Sequence, residues 1–445
     1  MIVIIKTLQV ILALSVLILV HELGHFTFAK LFGIRVDKFY LFFDIGNKTL
    51  ISTKSGWFSK IFPKGKNWET EYGIGWLPLG GYCKIAGMVD ESMDTEYLKK
   101  EPQPWEFRTK PAWQRLLVMA GGVLFNIIFA IIMYISLLAG WGESYISNEG
   151  NCIYVNELAY DMGFRNGDHI ISFDDYEPEN FMLLQADLAR RATEKAMVLR
   201  NGDTISIYID HNRLGEILNT PGMFDLARPF VIHSIAEGSV NSGSGLMEGD
   251  RIIAIEGQTV PFVQDAWPVL EGYAGETVDT DIERGEDILS LPLQVDTTGR
   301  IGVYLTSPEV KTMKYSVISA IPAGFKKTFS SIGGYLKDLK LVFTPSTEAY
   351  KSVGSFIAIG QVFPEAWDWY SFISIIAMLS IMLAVMNLLP IPALDGGHIV
   401  FTLYEMVTGK KPSDKFLYVT QIIGMILILG LMFLAFGNDI ARLLR

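Results

Sequence analysis

The run LILVHELGHFTFAK, residues 17–30, places two histidines and a glutamate inside a segment otherwise suited to lipid. Ionisable groups at membrane depth are costly, and where they persist they usually mark function. On a helix the spacing H-E-x-x-H puts His21 and His25 one turn apart on a single face, where both can hold one zinc ion. Glu22 lies beside them and can take a proton from an attacking water. With 6 histidines in 445 residues the pattern is rare by accident. The bland alternative is a pair of satisfied core histidines, or a metal without catalysis.

Half of the residues are hydrophobic, which is too apolar for an ordinary soluble chain of this length. Four segments are long enough to cross a bilayer as helices: roughly 2–29, 115–140, 371–394 and 416–437. The first lacks a small-residue cleavage site and runs into the ionisable cluster, so it reads as a retained helix and not a secretory signal. Cys83 and Cys152 have no metal-binding spacing and read as two free thiols.

Charge sets the expected orientation. Residues 30–115 hold fourteen Lys/Arg against ten Asp/Glu, and 141–370 hold seventeen against thirty-three. Lys410, Lys411 and Lys415 add to the short loop 395–415. Basic loops near helix ends stay in the cytoplasm, so the first and third loops are expected inside and the acidic bulk outside. An acidic soluble portion without a basic face argues against nucleic acid as a partner.

The outer portion repeats itself. GFRNGDHIISFDD (163–175) and GLMEGDRIIAIEG (245–257) share a Gly-Asp pair followed by an alternating apolar run, a tight turn feeding a strand. Two copies about 80 residues apart imply two similar small domains. They resemble PDZ domains of the bacterial type with rearranged strand order, a fold that adds extended peptides to a sheet edge; spacer or gate is the alternative role. In 311–345, Ile318, Ile321, Phe325, Phe329, Ile332, Leu336, Leu339 and Phe343 recur at helical steps among lysines. This predicts an amphipathic helix on the membrane surface or against the protein's own domains.

A catalytic zinc site needs a third ligand. Between 371 and 404 the one acidic residue is Asp395, in NLLPIPALDGGH, with His398 as competitor. Asp395 is the better candidate, because an unpaired carboxylate at that depth otherwise lacks a reason. Pro390 and Pro392 are expected to break the helix just before it, and Gly396 and Gly397 to let the chain turn closely past the metal. YGIGWLPLGGYCKIAG (72–87) reads as a Gly-rich hairpin that dips into the membrane, with Gly80 and Gly81 on an edge that could pair with substrate.

Taken together, HExxH in the first crossing, N-x-x-P-x-P-x-L-D-G in the third and PDZ-like repeats between them resemble the site-2 protease family. Within it they resemble the bacterial regulator of sigma-E protease type with two PDZ domains. The resemblance covers nearly the whole chain. It implies zinc-dependent cleavage of membrane-spanning segments, with His21, His25 and Asp395 as ligands, Glu22 as catalytic base and Asn387 on the substrate backbone. Asn126 is carried over as a further substrate contact, with a helix–helix hydrogen bond as the alternative. One departure is Val123, where this branch often has proline in Gly-Pro-x-x-Asn.

The expected architecture is a multi-pass α-helical membrane protein with four transmembrane helices, a membrane-associated β-hairpin region and two extracytoplasmic PDZ-like α+β domains. Its parts are 1–30, the first crossing; 31–114, the cytoplasmic loop; and 115–140, the second crossing. Then come 141–225 and 226–308, the PDZ-like pair; 309–370, connecting helices; 371–404, the third crossing; and 405–445, the fourth crossing. The expected setting is the inner membrane, with the site toward the cytoplasm and the repeats outside. The expected partners are lipid, single-pass membrane proteins, an anti-sigma factor already cut outside, and signal-peptide remnants; a monomer suffices. A silent adaptor with a structural metal is the rival reading. It does not account for Glu22, and a structural zinc would close with four ligands.

Overall fold

The computed structural model describes residues 2–88 and 101–444, so residues 89–100 of the expected loop lie outside the described residues. Among the described residues four helices are long and apolar enough to cross a membrane: Ile2–Leu31, Ala112–Gly140, Trp369–Leu388 and Lys415–Ala441. The chain divides into two compact units, 1–142 with 314–340 and 350–445, and 143–313 with 341–349.

The first unit opens with α1 (Ile2–Leu31), β1 (Val36–Phe43), β2 (Thr49–Ser52), α2 (Phe58–Ile61), β3 (Glu71–Gly75), β4 (Leu77–Ile85) and α3 (Ala112–Gly140). Helices α1 and α3 cross at Gly24 and Gly121, where a Cβ on either would strike the other's backbone. Small residues at such a crossing let membrane helices pack closely. Here they bury His21 and His25 between the two helices. Helix α3 runs unbroken through Val123, so the absent proline leaves no kink.

The strands form one sheet in the order β2-β3-β1-β4. The expected hairpin over 72–87 is therefore corrected: β3 and β4 do not pair, because β1 lies between them, parallel to β3 and antiparallel to β4. Only Trp76 links the two strands, which is fewer than the two residues of the tightest common hairpin. The chain instead passes round the end of β1 at Gly75, where a Cβ would strike the Phe42 and Phe43 backbone. Strand β4 is left at the edge.

The second unit contains β5 (Glu143–Ile146), β6 (Ile153–Val155), α4 (Glu157–Asp161), β7 (His169–Phe173), α5 (Leu184–Arg190), β8 (Lys195–Arg200), β9 (Asp203–Tyr208), α6 (Leu214–Asn219) and β10 (Phe224–Leu226). These elements surround a first core that includes Ile153, Phe164, Phe173 and Leu188. Its second lobe is β11 (Ile232–Ile235), β12 (Arg251–Ile255), β13 (Gln258–Thr259), α7 (Val263–Gly272), β14 (Thr277–Arg284), β15 (Asp287–Gln294) and β16 (Val303–Leu305), around Ile232, Ile252, Leu270 and Ile282. Strand β17 (Val310–Met313) returns to pair with β5.

The duplication is visible atom by atom. Buried Asp168 accepts from the Arg165 amide and takes two hydrogen bonds from Arg200, which also reaches the Gly163 carbonyl. Buried Asp250 accepts from the Met247 amide and takes two from Arg284, which reaches the Gly245 carbonyl.

The first unit resumes with α8 (Val317–Val342), α9 (Phe356–Val362), α10 (Trp369–Leu388), α11 (Asp395–Thr408) and α12 (Asp414–Leu443). Along α8 a face of small residues, Ala320, Gly324 and Thr328, is buried or tightly packed, with Gly324 against Ile135 of α3. Ile332, Tyr335 and Leu339 continue onto the core shared by α3 and α10. Its other apolar side, with Ile318, Phe325, Phe329 and Leu336, is exposed. The third crossing is not continuous: α10 ends at Leu388, six residues intervene and α11 starts at Asp395. Pro390 and Pro392 occupy that gap, where no backbone N–H is available to continue a helix.

Candidate metal centre and active site

His21 and His25 face the same way from α1, and Asp395 meets them from the first turn of α11. The nitrogen His21 Nε2 lies 3.3 Å from His25 Nε2, and Asp395 Oδ2 lies 3.3 Å from the first and 3.4 Å from the second. These three form the one candidate metal cluster among the described residues, and His398 is not in it.

The second nitrogen of each ring fixes what the first can do. His25 Nδ1 is 2.8 Å from the Val118 carbonyl. A carbonyl only accepts, so Nδ1 carries the proton and Nε2 keeps its lone pair. His21 Nδ1 is 3.2 Å from the Asn126 side-chain amide, whose Oδ1 is buried without a partner. Turning that amide by half a rotation lets Oδ1 accept from His21 Nδ1–H, which satisfies the orphan oxygen and gives His21 the same tautomer. Asp395 Oδ2 is likewise buried with no hydrogen to accept.

With both rings neutral, three lone pairs then converge on one point. A zinc ion with bonds of about 2.0–2.1 Å makes a tetrahedron whose edges are about 3.3–3.4 Å. The observed separations match three of its corners, and two imidazoles with one carboxylate suit zinc. The residues fit the metal.

Around this cluster lies a cavity of about 370 Å³, lined by Glu22, Gly81, Cys83, Met119, His398 and Gln421 among others. Glu22 accepts a hydrogen bond from the Cys83 backbone amide of β4, so the sheet edge holds the carboxylate beside the histidines. At the cavity's rim Lys38 pairs with Asp44 at 2.8 Å and Tyr82 donates to the same carboxylate at 2.8 Å. Burial favours the neutral acid, but the hydrogen bonds from Lys38 and Tyr82 outweigh it and hold Asp44 below the usual carboxylate range. Burial and then Asp44 itself push the Tyr82 hydroxyl well above its ordinary value.

Asn387, near the end of α10, points its amide nitrogen at His21 Nε2 from 3.3 Å, which places it beside the three candidate ligands. Asn126 is fully buried, faces His21 and does not line the cavity. Its backbone carbonyl accepts from Ser380 of α10 at 2.8 Å. Gly81 lines the cavity and lies so close to α1 that a Cβ would be 2.7 Å from Ile18. Gly80 instead packs against the Phe43 ring.

Two further groups were not read from the sequence. Arg115 of α3 and Glu405 of α11 form a largely buried ion pair at 2.5 Å, tying the helix that carries Asp395 to the one that carries Asn126. Gly122 leaves room for the histidine rings, since a Cβ there would be 2.6 Å from both His21 Nδ1 and His25 Nε2. Their only trace in the sequence is an isolated charge near each helix end and one of two adjacent glycines.

The fold and site are those of a membrane-embedded metallopeptidase. A model of Peptidase family M50 matches residues 9–431, and the chain belongs to that family. It is similar to a "Putative zinc metalloprotease" of Borreliella burgdorferi, 29% identical with 98% of each chain covered. A protein of the same description from Xylella fastidiosa is 28% identical over 97% of each chain. The Regulator of sigma-E protease RseP of Salmonella typhimurium is 27% identical, over 97% of this chain and 98% of the other.

Proposed function

We propose that the protein cuts membrane-spanning segments of single-pass proteins, anti-sigma-factor-like substrates and signal-peptide remnants among them. The observation that carries this reading is the convergence of three ligand atoms, Glu22 and a strand edge in one cavity. His21, His25 and Asp395 would hold the zinc. When bound, it polarises the scissile carbonyl and lowers the pKa of a water to about 7.

Glu22, oriented by the Cys83 amide, takes a proton from the water as its oxygen attacks the carbonyl carbon. It then delivers that proton to the amine nitrogen as the C–N bond breaks. Asn387 donates its amide to a substrate carbonyl. Alternation along a strand puts the Gly81 N–H on the same free edge as that of Cys83, so an unwound substrate can pair there as an added strand. Enclosure by α1, α3 and α11 keeps water and irregular backbone out of lipid.

The basic 30–115 loop supports a cytoplasmic position for the site and an outer one for the two acidic lobes. Those lobes, read as PDZ-like, would exclude substrates with bulky outer domains or hold a newly cut tail.

The test compares the parent with Glu22→Gln in lipid with zinc, on tagged single-pass and signal-peptide substrates. Cleavage by the parent alone, with equal zinc in both, is the expected result. No cleavage of any substrate, including those without an outer domain, would overturn the reading.

A further inference from the structure

The mechanism makes no use of WFSKIFPKGKNW, residues 57–68, which join β2 to β3. Trp57 is 56% exposed and Ile61 72%, although both are large and apolar. Lys60, Lys64 and Lys66 are exposed in the same segment, and none has an ion-pair partner among the described residues. The neighbouring acid, Glu69, is engaged: its carboxylate holds Lys30 at 2.6 Å, and its carbonyl accepts from Lys54. Mixed aromatics and lysines are the composition of a membrane interface, where rings lie among headgroups and amines meet phosphates.

Beneath this segment runs an apolar groove of about 540 Å³, lined by Leu19, Phe39, Ile51, Phe58, Phe62 and Trp68 among others. Leu19 belongs to α1, two residues before His21, so the groove reaches membrane depth. Its lining offers almost no hydrogen bonds, and Thr53 Oγ1 is already used by the Tyr72 amide. A peptide placed there would leave backbone groups unpaired, at a cost of several-fold in affinity for each. An acyl chain has no such groups.

We propose that residues 57–68 and this groove bind an anionic phospholipid. One acyl chain lies along Phe58, Phe62 and Leu19, and the headgroup phosphate meets Lys60, Lys64 and Lys66. This assignment does not depend on the proteolytic reading.

The test is native mass spectrometry of the full-length protein, released from micelles containing equal phosphatidylglycerol and phosphatidylcholine. The parent is expected to retain phosphatidylglycerol preferentially. The Lys60→Gln/Lys64→Gln/Lys66→Gln variant should lose that preference by about tenfold or more, judged from the attraction of juxtamembrane lysines to anionic lipid. The triple arginine variant should keep it. Phe58→Ala/Phe62→Ala should weaken both lipids. The lysines are exposed, so an unchanged melting temperature checks that the fold is intact. Equal retention of the two lipids by the parent would overturn the proposal. So would an unchanged preference in the glutamine variant, displacement by inorganic phosphate alone, or competition by a transmembrane substrate peptide.

Discussion

Replacing Asn126 separates two descriptions of how His21 is made ready for metal. If Asn126 accepts the proton on His21 Nδ1, an aspartate there keeps the acceptor and reproduces the carboxylate–histidine–metal relay common at zinc sites. If instead its amide donates to Nδ1, the ring proton already sits on Nε2, where the metal must bind, and an aspartate draws it to Nδ1 and frees Nε2. The site is completely buried, so Asn126→Ala leaves Nδ1–H without any partner, water included. Losing such a partner typically costs 10–100-fold in metal affinity, or about 1.4–2.7 kcal/mol. We expect Asn126→Ala to bind zinc 10–100-fold more weakly and Asn126→Asp to stay near the parent. The assay is competition with a chromophoric chelator on full-length protein in detergent, with peptide cleavage in parallel. A marked departure from parental affinity in Asn126→Asp, above all tighter binding, or parental affinity in Asn126→Ala, would refute the assignment.

Three other outcomes follow from the packing. Gly122→Ala should abolish zinc binding and cleavage, because its methyl would be 2.6 Å from both histidine rings; metal content by mass spectrometry checks this. Glu405→Gln leaves the Arg115 cation buried and unpaired, a change that typically costs about 3–5 kcal/mol. It should lower the melting temperature and weaken zinc binding together, whereas an unchanged zinc affinity would show that the pair does not position α11. Hydrogen bonding from Arg284, above all, holds the Asp250 carboxyl below its ordinary value. The unfolded chain therefore binds its proton more readily, so this contribution is complete above a pH of about 4 and is lost as pH falls toward the depressed value. Hydrogen exchange in β12, corrected for intrinsic rates, should show it, and Asp250→Asn should flatten the dependence.

The site's central residues were legible because their chemistry clashes with their surroundings. A glutamate and two histidines in an apolar run, and a lone aspartate after two prolines, have little use at that depth except to hold a metal and move a proton. What surrounds them was not legible. Asn126 looks alike whether it faces a ligand or a substrate, and only the crossing of α1 and α3 decides. Arg115 and Glu405 are 290 positions apart, so no local pattern joins them. The hairpin was misread because sequence adjacency stood in for pairing, although one linking residue cannot close a turn. The Gly-Asp repeat was visible, but the arginines that bind each aspartate arrive from later strands, 32 and 34 positions on, too far for a local pattern to join them.

The break between α10 and α11 also bears on how the protein is made. His21, Glu22 and His25 emerge with the first helix, while Asp395 comes near the end of the chain and on a separate rigid piece. Chains are synthesised and fold from the N-terminus onward. On the proposed assignment a half-finished copy in the membrane therefore offers two of the three ligands and leaves Glu22 without an activated water. On the proposed reading the chain cannot cut neighbouring membrane proteins until α11 has been inserted and docked. On the proposed assignment, division of the ligands between α1 and α11 makes synthesis through α11 the condition for activity.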